Sequence, residues 1–432
     1  MSRPGQNISQ DRTARHAERR YTLDVQRHLT RNFLTHLCHG LFGQTGFRLL
    51  QAPTFLPAYV LLLTDGSSGA VGLALSIQSI GMALTPIIGA NLIEHRRRVL
   101  PMGFVTGIAM RLSVLGIALA GFWLPPEQAL IAVYVGLLCF GLMQGMQGVI
   151  FNVLMAKVIP VSKRGRLTGM RNFLSGLTAS AVAYLGGAWF LGAEPNITGY
   201  SQTFLLAFVL TSIGLASLLL MHEPQPPTVK VRQSLSARLK DLPGLLREDH
   251  AFRRYITART IATLGRMALP FYVVYASLNG TLTGPELALL TIGFALAGTV
   301  SNIAWGLLGD RYGFRAVLLW SIALWIMATA LLPFVDAHFL LLITVFVGVG
   351  AAVQGFQGAA QNLTLEFGHR DDLPLRIAVA NSTAETAGAV GPFAGGLLAA
   401  TFGFGVMFSI AMLALLVGGI MIARYVPEPR FA

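Results

Sequence analysis

Charge is what this chain has least of. Asp, Glu, Lys and Arg make up 12% of its 432 residues, about half the share found in soluble domains. So few charges cannot cover the surface of a water-soluble protein of this size. Acid is scarcer than base, 19 residues against 32, for a net charge of +13. The two cysteines, Cys38 and Cys139, lie in separate apolar stretches. That excludes a disulfide scaffold and leaves no redox or metal-binding thiol motif. No G-x-x-x-x-G-K-[ST] segment occurs, which argues against an ATP-driven pump. The first 30 residues are rich in charge and lack an apolar core, so no cleaved signal peptide is expected there. What is abundant is apolar: 54% AVILMFWYC, with 47 glycines. Disorder is excluded by the same numbers. An all-α polytopic membrane protein remains.

Apolar runs of about 20 residues, the length that crosses a bilayer, occur twelve times. They cover roughly 33–62, 69–93, 99–122, 128–155, 167–191, 203–221, 256–278, 287–309, 315–335, 338–362, 377–400 and 403–425. Turn chemistry separates them at Asp65-Gly66-Ser67-Ser68-Gly69, Pro125-Pro126-Glu127, Glu194-Pro195-Asn196 and Asn279-Gly280. Hydrocarbon offers no partner for backbone polar groups, so such runs are read as helices. A weak amphipathic pattern around Tyr21–Leu34 marks a surface helix before the first span. Asn196-Ile197-Thr198 matches a glycosylation triplet that carries no weight by itself.

Lys and Arg set the orientation. With the N-terminus in the cytoplasm, every Lys and Arg falls in a cytoplasmic segment except Arg48, Arg111 and Arg266, and the outer loops carry none. Both termini are therefore expected in the cytoplasm, with the chain in a bacterial inner membrane. The basic loops orient the chain and contact anionic headgroups, so the lipid bilayer is the expected partner and nucleic acid is not. The organisation expected is a basic tail over 1–32, a six-helix bundle over 33–221, a Pro-containing linker over 222–255, a second six-helix bundle over 256–425 and a tail over 426–432.

The two halves resemble each other. Gln144-Gly145-Met146-Gln147-Gly148 with Asn152 recurs 210 residues later as Gln354-Gly355-Phe356-Gln357-Gly358 with Asn362, and Arg166 recurs as Arg376. Earlier in each half the shift is 217, pairing Gly81 with Gly298, Gly89 with Gly306 and Arg98 with Arg315. Related halves about an axis along the membrane normal imply a cavity between them and alternating access by rocking.

The loop after the eighth span reads Gly306-Leu307-Leu308-Gly309-Asp310-Arg311-Tyr312-Gly313-Phe314-Arg315. It resembles the G-x-x-x-D-R-x-G-x-R signature of the major facilitator superfamily, and with the six-plus-six layout the resemblance covers nearly the whole chain from about residue 33. It implies twelve transmembrane helices in two pseudo-symmetric bundles, and a latch in which Gly306, Asp310, Arg311, Gly313 and Arg315 hold the cytoplasmic side shut. Asp310 is expected against the positive dipole end of span eleven. In the first-half copy Gly89 is kept, but Ile93 stands at the acid position and Glu94 comes one residue late. One residue turns a helix by about 100°, so the two latches should be unequal.

Ionisable groups inside the membrane are costly and are candidate sites by default. Arg48 in span one, Arg111 in span three and Arg266 in span seven face a single intramembrane acid, Glu385 in span eleven. Arg48 and Arg266 lie at similar depths in the first span of each half, and arginine can grip a carboxylate or phosphate through two parallel hydrogen bonds. The alternative is structural, with Arg266 paired to Glu385 and Arg48 reaching the inner interface. Arg111, on a span that is peripheral in this superfamily, is the weakest substrate candidate. Glu385 shares a helix stripe with Asn381, Gly388 and Pro392; it is the candidate for proton coupling, because desolvation brings a carboxylate nearer neutral titration. Gln144, Gln147, Gln354, Gln357 and Asn381 are candidate substrate ligands, or for the glutamines helix-to-helix hydrogen bonds. His36 and His39 lie one turn apart with no third ligand evident, so no metal and no cofactor are expected.

The reading is a secondary transporter of a small organic solute, anionic by the excess of arginine, coupled to protons and working as a monomer. Drug/proton antiport is the alternative within the superfamily. Against it, Gln144 stands where the R-x-x-Q-G pattern of such antiporters has Arg, and the likeness of their glycine-proline signature falls on span eleven at Gly388–Gly396, not span five. A membrane-embedded enzyme or lipid scramblase is a remote alternative, since no catalytic constellation is evident.

Overall fold

A computed structural model describes residues 4–93, 95–226, 244, 246–247, 249–279, 282–337, 339–367 and 373–428. Glu94, most of the expected linker and the end of the C-terminal tail fall outside the described residues. The chain is all-α, with twelve spans. Eight helices are long and apolar enough to cross a membrane by length and composition, and the bent pair Leu29–Gln51 and Phe55–Leu63 makes a ninth. Ser68–Leu84 with Pro86–Ile93, Phe314–Ala330, and Leu373–Phe402 complete the set.

The helices run beyond the apolar runs because their caps are polar. Asn196, in the glycosylation-like triplet, accepts a hydrogen bond from Gly199 N–H and starts span six at Ile197. Thr283 and Glu286 form a reciprocal capping box at the start of span eight, and Asp249 caps span seven through Phe252 N–H. Such caps satisfy backbone donors that the helix leaves open. Before span one lies a polar helix, Pro4–Arg27. The expected surface helix therefore ends earlier than Leu34, which belongs to span one.

Neighbour relations repeat between the halves. Span one packs on six and five as span seven packs on twelve and eleven; two packs on four as eight on ten; three packs on four and six as nine on ten and twelve. Between the halves, span two lies against eleven and span five against eight. The close approaches there use glycine. A Cβ on Gly72 would meet Pro392 O at 2.4 Å, and one on Gly187 would meet Gly284 O at 2.3 Å. Gly284 N–H donates to Gly192 O at 2.6 Å, where span five ends in a π turn. The Thr54 and Thr291 hydroxyls are 2.6 Å apart across the same seam. All of these contacts lie on the side away from the termini. Towards the terminal side, a Cβ on Gly169 or Gly306 would meet nothing within 4 Å among the described residues. The halves are thus sealed on the far side and parted on the terminal side. Trp123 and Trp189 are 76% and 75% exposed near the far-side ends of spans three and five, the placement of an interfacial aromatic belt.

Candidate substrate-binding site

Both halves break their first span at the same repeat position. Pro53 lies between Leu29–Gln51 and Phe55–Leu63, which are bent by 42°. Pro270, 217 residues on, lies between the 3₁₀ turn Gly265–Ala268 and Phe271–Asn279. Proline lacks the N–H that would continue the ladder. Interrupted helices at matching places in two repeats are a known pointer to the transport site. Arg48 and Arg266 sit just before these breaks. The matching prolines are a signal the sequence carries and that span-counting overlooks.

Arg48 is half-buried and reaches span five. A Cβ on Gly176 would lie 3.1 Å from Arg48 Nη1 and 2.3 Å from Thr299 Oγ1 of span eight, so this guanidinium stands at a junction of both halves. Nearby, Arg171 of span five is close enough for the two cations to repel. Its stem crosses span one where Gly40 leaves room; a Cβ there would overlap it at 1.9 Å. The Gln44 amide accepts from Arg171 Nε and Nη2, each at 3.2 Å, and donates to Ser175 Oγ at 2.8 Å. Arg171 also covers the Phe151 ring at 5.2 Å. Sequence reading counted Arg171 with the orienting charges of a loop; its place one helical turn above Lys163–Leu167 and in phase with Ser175 was the available clue.

In the second half, Arg266 Nη1 and Glu385 Oε2 lie 3.5 and 3.9 Å from the position of a Cβ on Gly388. Both side chains are half-buried and face one another across that glycine, yet no ion pair within 4.0 Å joins them. Neither Arg48 nor Arg266 has a protein hydrogen bond or ion pair among the described residues. Arg111 differs. It is buried, donates from Nε to Thr211 O and from Nη1 to Gly107 O, both at 2.7 Å, and covers Phe47 at 5.4 Å. It braces spans three, six and one.

The glutamines divide. Gln144 Oε1 accepts from Gln78 Nε2 at 3.5 Å, and Gln147 accepts from the Thr106 hydroxyl, so both are engaged within the first half. Gln354 packs against Gly298 of span eight. Gln357 and Asn381 are exposed. His36 and His39 pack on Phe151, with ring centroids 4.7 and 4.8 Å away, and gather no third metal ligand among the described residues.

Among the latch candidates, Gly313 adopts φ 86° and a Cβ there would strike the Glu428 carboxylate at 2.3 Å. Arg315 N–H donates to Glu428 Oε2 at 2.9 Å, and its guanidinium donates to Ile422 O at 3.2 Å and to Ala423 O, closing the end of span twelve. Burial raises the Glu428 pKa, and the neighbouring Glu366 adds to the rise. Gly309 admits the Phe314 ring, Arg311 covers Tyr312 at 5.1 Å, and Asp310 is exposed. The expected contact of Asp310 with the start of span eleven falls partly on residues 368–372, outside the described residues. Span eight crosses to the other half against span five, while span eleven crosses against span two. The first-half copy, Gly89, is instead packed on the Met146 backbone at 2.9 Å, and Ile93 is buried with Val99 and Ile150.

The Major Facilitator Superfamily profile matches residues 40–278 and 255–432. The chain belongs to that superfamily. Solved structures of its fold agree. A variant of the nucleoside transporter NupG superposes with a TM-score of 0.71 at 12% identity, covering 91% of this chain and 98% of that one. A D-xylose–proton symporter gives 0.70 at 14% identity, covering 94% and 99%. A bacterial homologue of the iron transporter ferroportin in its inward-facing state gives 0.68 at 15% identity, covering 92% and 99%. No curated protein matches the sequence.

Proposed function

We propose that this superfamily member is a secondary transporter that carries a small organic anion by alternating access, with proton coupling through Glu385. One observation carries the reading. The first span of each half places a half-buried guanidinium, Arg48 and Arg266, beside a proline break with no hydrogen-bond or ion-pair partner for its charge among the described residues. A cation held from water without a counter-ion raises the energy of the empty site, and an arriving carboxylate or phosphate relieves that cost through charge-assisted hydrogen bonds. Arg171 adds to the positive field. Glu385, beyond ion-pair distance of Arg266, is placed to exchange a proton as the anion comes and goes. Among the structural neighbours is a D-xylose–proton symporter; the solute here is argued from this chain's own arginines.

The terminal side is assigned to the cytoplasm from the distribution of Lys and Arg, so the conformation described is inward-open. Spans five and eight, rather than spans eight and eleven, then form the cytoplasmic latch when the halves close. The test is ligand-induced thermal stabilisation of the purified protein with a panel of carboxylates, phosphates, neutral sugars and cationic drugs. Anions are expected to stabilise the protein, and Arg48→Ala and Arg266→Ala to abolish the shift. Stabilisation by neutral or cationic solutes, unchanged in both variants, would end the proposal.

A further inference from the structure

On the terminal face, outside the cavity, three metal-ligating side chains from two distant parts of the chain converge. Asp24 closes the leading helix Pro4–Arg27, His28 stands at the break before span one, and His222 follows span six. His28 Nδ1 lies 3.1 Å from Asp24 Oδ1, and His222 Nε2 lies 3.1 Å from Asp24 Oδ2. The two imidazoles are stacked, with centroids 3.8 Å apart and planes 23° from parallel. All three ligand atoms lie within 4.8 Å of one another.

The surroundings hold these groups in place. Asp24 and His28 are one helical turn apart, and His28 Nδ1 is also 3.1 Å from the Asp24 carbonyl oxygen. The His222 backbone is clamped by the side chain of Asn32, whose Oδ1 accepts from His222 N–H and whose Nδ2 donates to His222 O, each at 2.9 Å. Asn32 itself is fully buried. Glu223, next in sequence, accepts from Val99 N–H at 2.7 Å, Leu100 N–H at 2.9 Å and Lys157 Nζ at 2.5 Å. Tyr21 O–H donates to Lys157 O at 3.0 Å and ties the leading helix to the same platform.

We propose that Asp24, His28 and His222 form a binding site for a divalent transition-metal ion of the zinc class. Two imidazole nitrogens and one carboxylate oxygen suit such an ion, with an open fourth position for water. Metal–nitrogen bonds of about 2.0–2.1 Å in a tetrahedron set ligand atoms about 3.3 Å apart; each imidazole already lies 3.1 Å from one oxygen of Asp24, and the three ligand atoms, which fall within 4.8 Å of one another, draw together on the ion. The ion fills its place through small side-chain shifts, with the backbone already fixed by Asn32 and Glu223. It would fasten the leading helix to the exit of span six, where the chain leaves the first bundle. The site stands apart from Arg48 and Arg266, so it survives or fails independently of the transported solute.

The test is binding of Co²⁺ and Zn²⁺ to the full-length protein in detergent, without a polyhistidine tag. The expected result is one ion per chain with micromolar affinity and a Co²⁺ visible band of tetrahedral intensity. Asp24→Asn, which keeps the shape of a half-exposed side chain, and His222→Ala should each weaken binding at least tenfold. His16→Ala and His95→Ala, at exposed positions, should leave it unchanged. Retention of full affinity in Asp24→Asn and His222→Ala, equal losses in the His16 and His95 controls, or no binding below 100-fold excess of ion would each overturn the proposal.

Discussion

Spans two and eight occupy the same place in the two repeats and have different fates. Span two is broken at Thr85-Pro86, and the Thr85 hydroxyl donates to Leu142 O at 2.7 Å. Its end folds onto span four, with Gly89 against Met146 and Ile93 in a small core. Span eight runs unbroken from Gly284 to Tyr312; Trp305 donates from Nε1 to Ala351 O at 2.9 Å, and Gly306 stays open. One repeat folds its end back onto its own bundle, while the other runs straight on to Asp310 and Arg311. The working asymmetry of this transporter lies there, more than in the arginines, which both halves supply.

The comparison can be broken most sharply at its glycines. We predict that Gly89→Leu, whose side chain must enter the Met146 backbone, destabilises the protein by about 2–3 kcal/mol, measured by thermal unfolding. Gly306→Leu should leave stability within about 0.5 kcal/mol yet impair transport by obstructing closure. Equal destabilisation by both would remove the distinction. Next in size are the arginines. Arg48→Ala and Arg266→Ala should each lower apparent affinity for an anion by about 10–100-fold, the value of a charged hydrogen bond, and affinity for a neutral analogue far less. A loss confined to one half would show that the second arginine is structural.

Glu385→Gln sharpens the same contrast, because the first half has no matching intramembrane acid. Transport by this variant should lose its pH dependence while ligand-induced stabilisation persists; unchanged pH dependence in vesicle uptake assays would remove the coupling role. Asp310→Asn should shift the balance towards the inward-open form, read as greater labelling of a cysteine introduced at Gly306. No change in labelling would argue against the latch.

The smallest effect concerns pH and the second half alone. Burial raises the Asp249 pKa, but the Phe252 N–H hydrogen bond and Arg376, whose Nη1 is 2.6 Å away, outweigh it and hold the pKa below the ordinary 3.8. A depressed carboxylate pKa stabilises the fold above its unfolded value, and the benefit is lost as pH falls through the folded value. The melting-temperature gap between wild type and Asp249→Asn should therefore be widest above pH 4 and close below it. A gap independent of pH would assign the contact to packing. In the first half, Arg166 is exposed at the matching position and offers no such pair.

The fold was legible because a bilayer restricts the choices: long apolar runs, basic loops and a repeat shift all act on the whole chain. Arg48, Arg266 and Glu385 were legible because charge inside such runs stands out. Arg171 was not, since one helical turn separates a loop cation from one that reaches span one, and hydropathy has no such resolution. The helix that span eight meets across the bundles was not legible for another reason. Which helices cross between bundles depends on where glycines such as Gly72, Gly187 and Gly284 let backbones touch, and that is a pairing rather than a pattern along the chain. For the glutamines the sequence left two readings open; Gln144 and Gln147 make the helix-to-helix hydrogen bonds of the second, to Gln78 and Thr106, partners that composition does not reveal.

The far-side seal has a consequence for control. It is made where main chain meets main chain, through Gly72, Gly187, Gly284 and Gly396, with threonine hydroxyls as its polar addition. These main-chain and hydroxyl contacts do not themselves titrate, so acidity and ionic strength have little purchase on them. The opposite rim, by contrast, carries the lysines and arginines, and a change of charge has most to act on there.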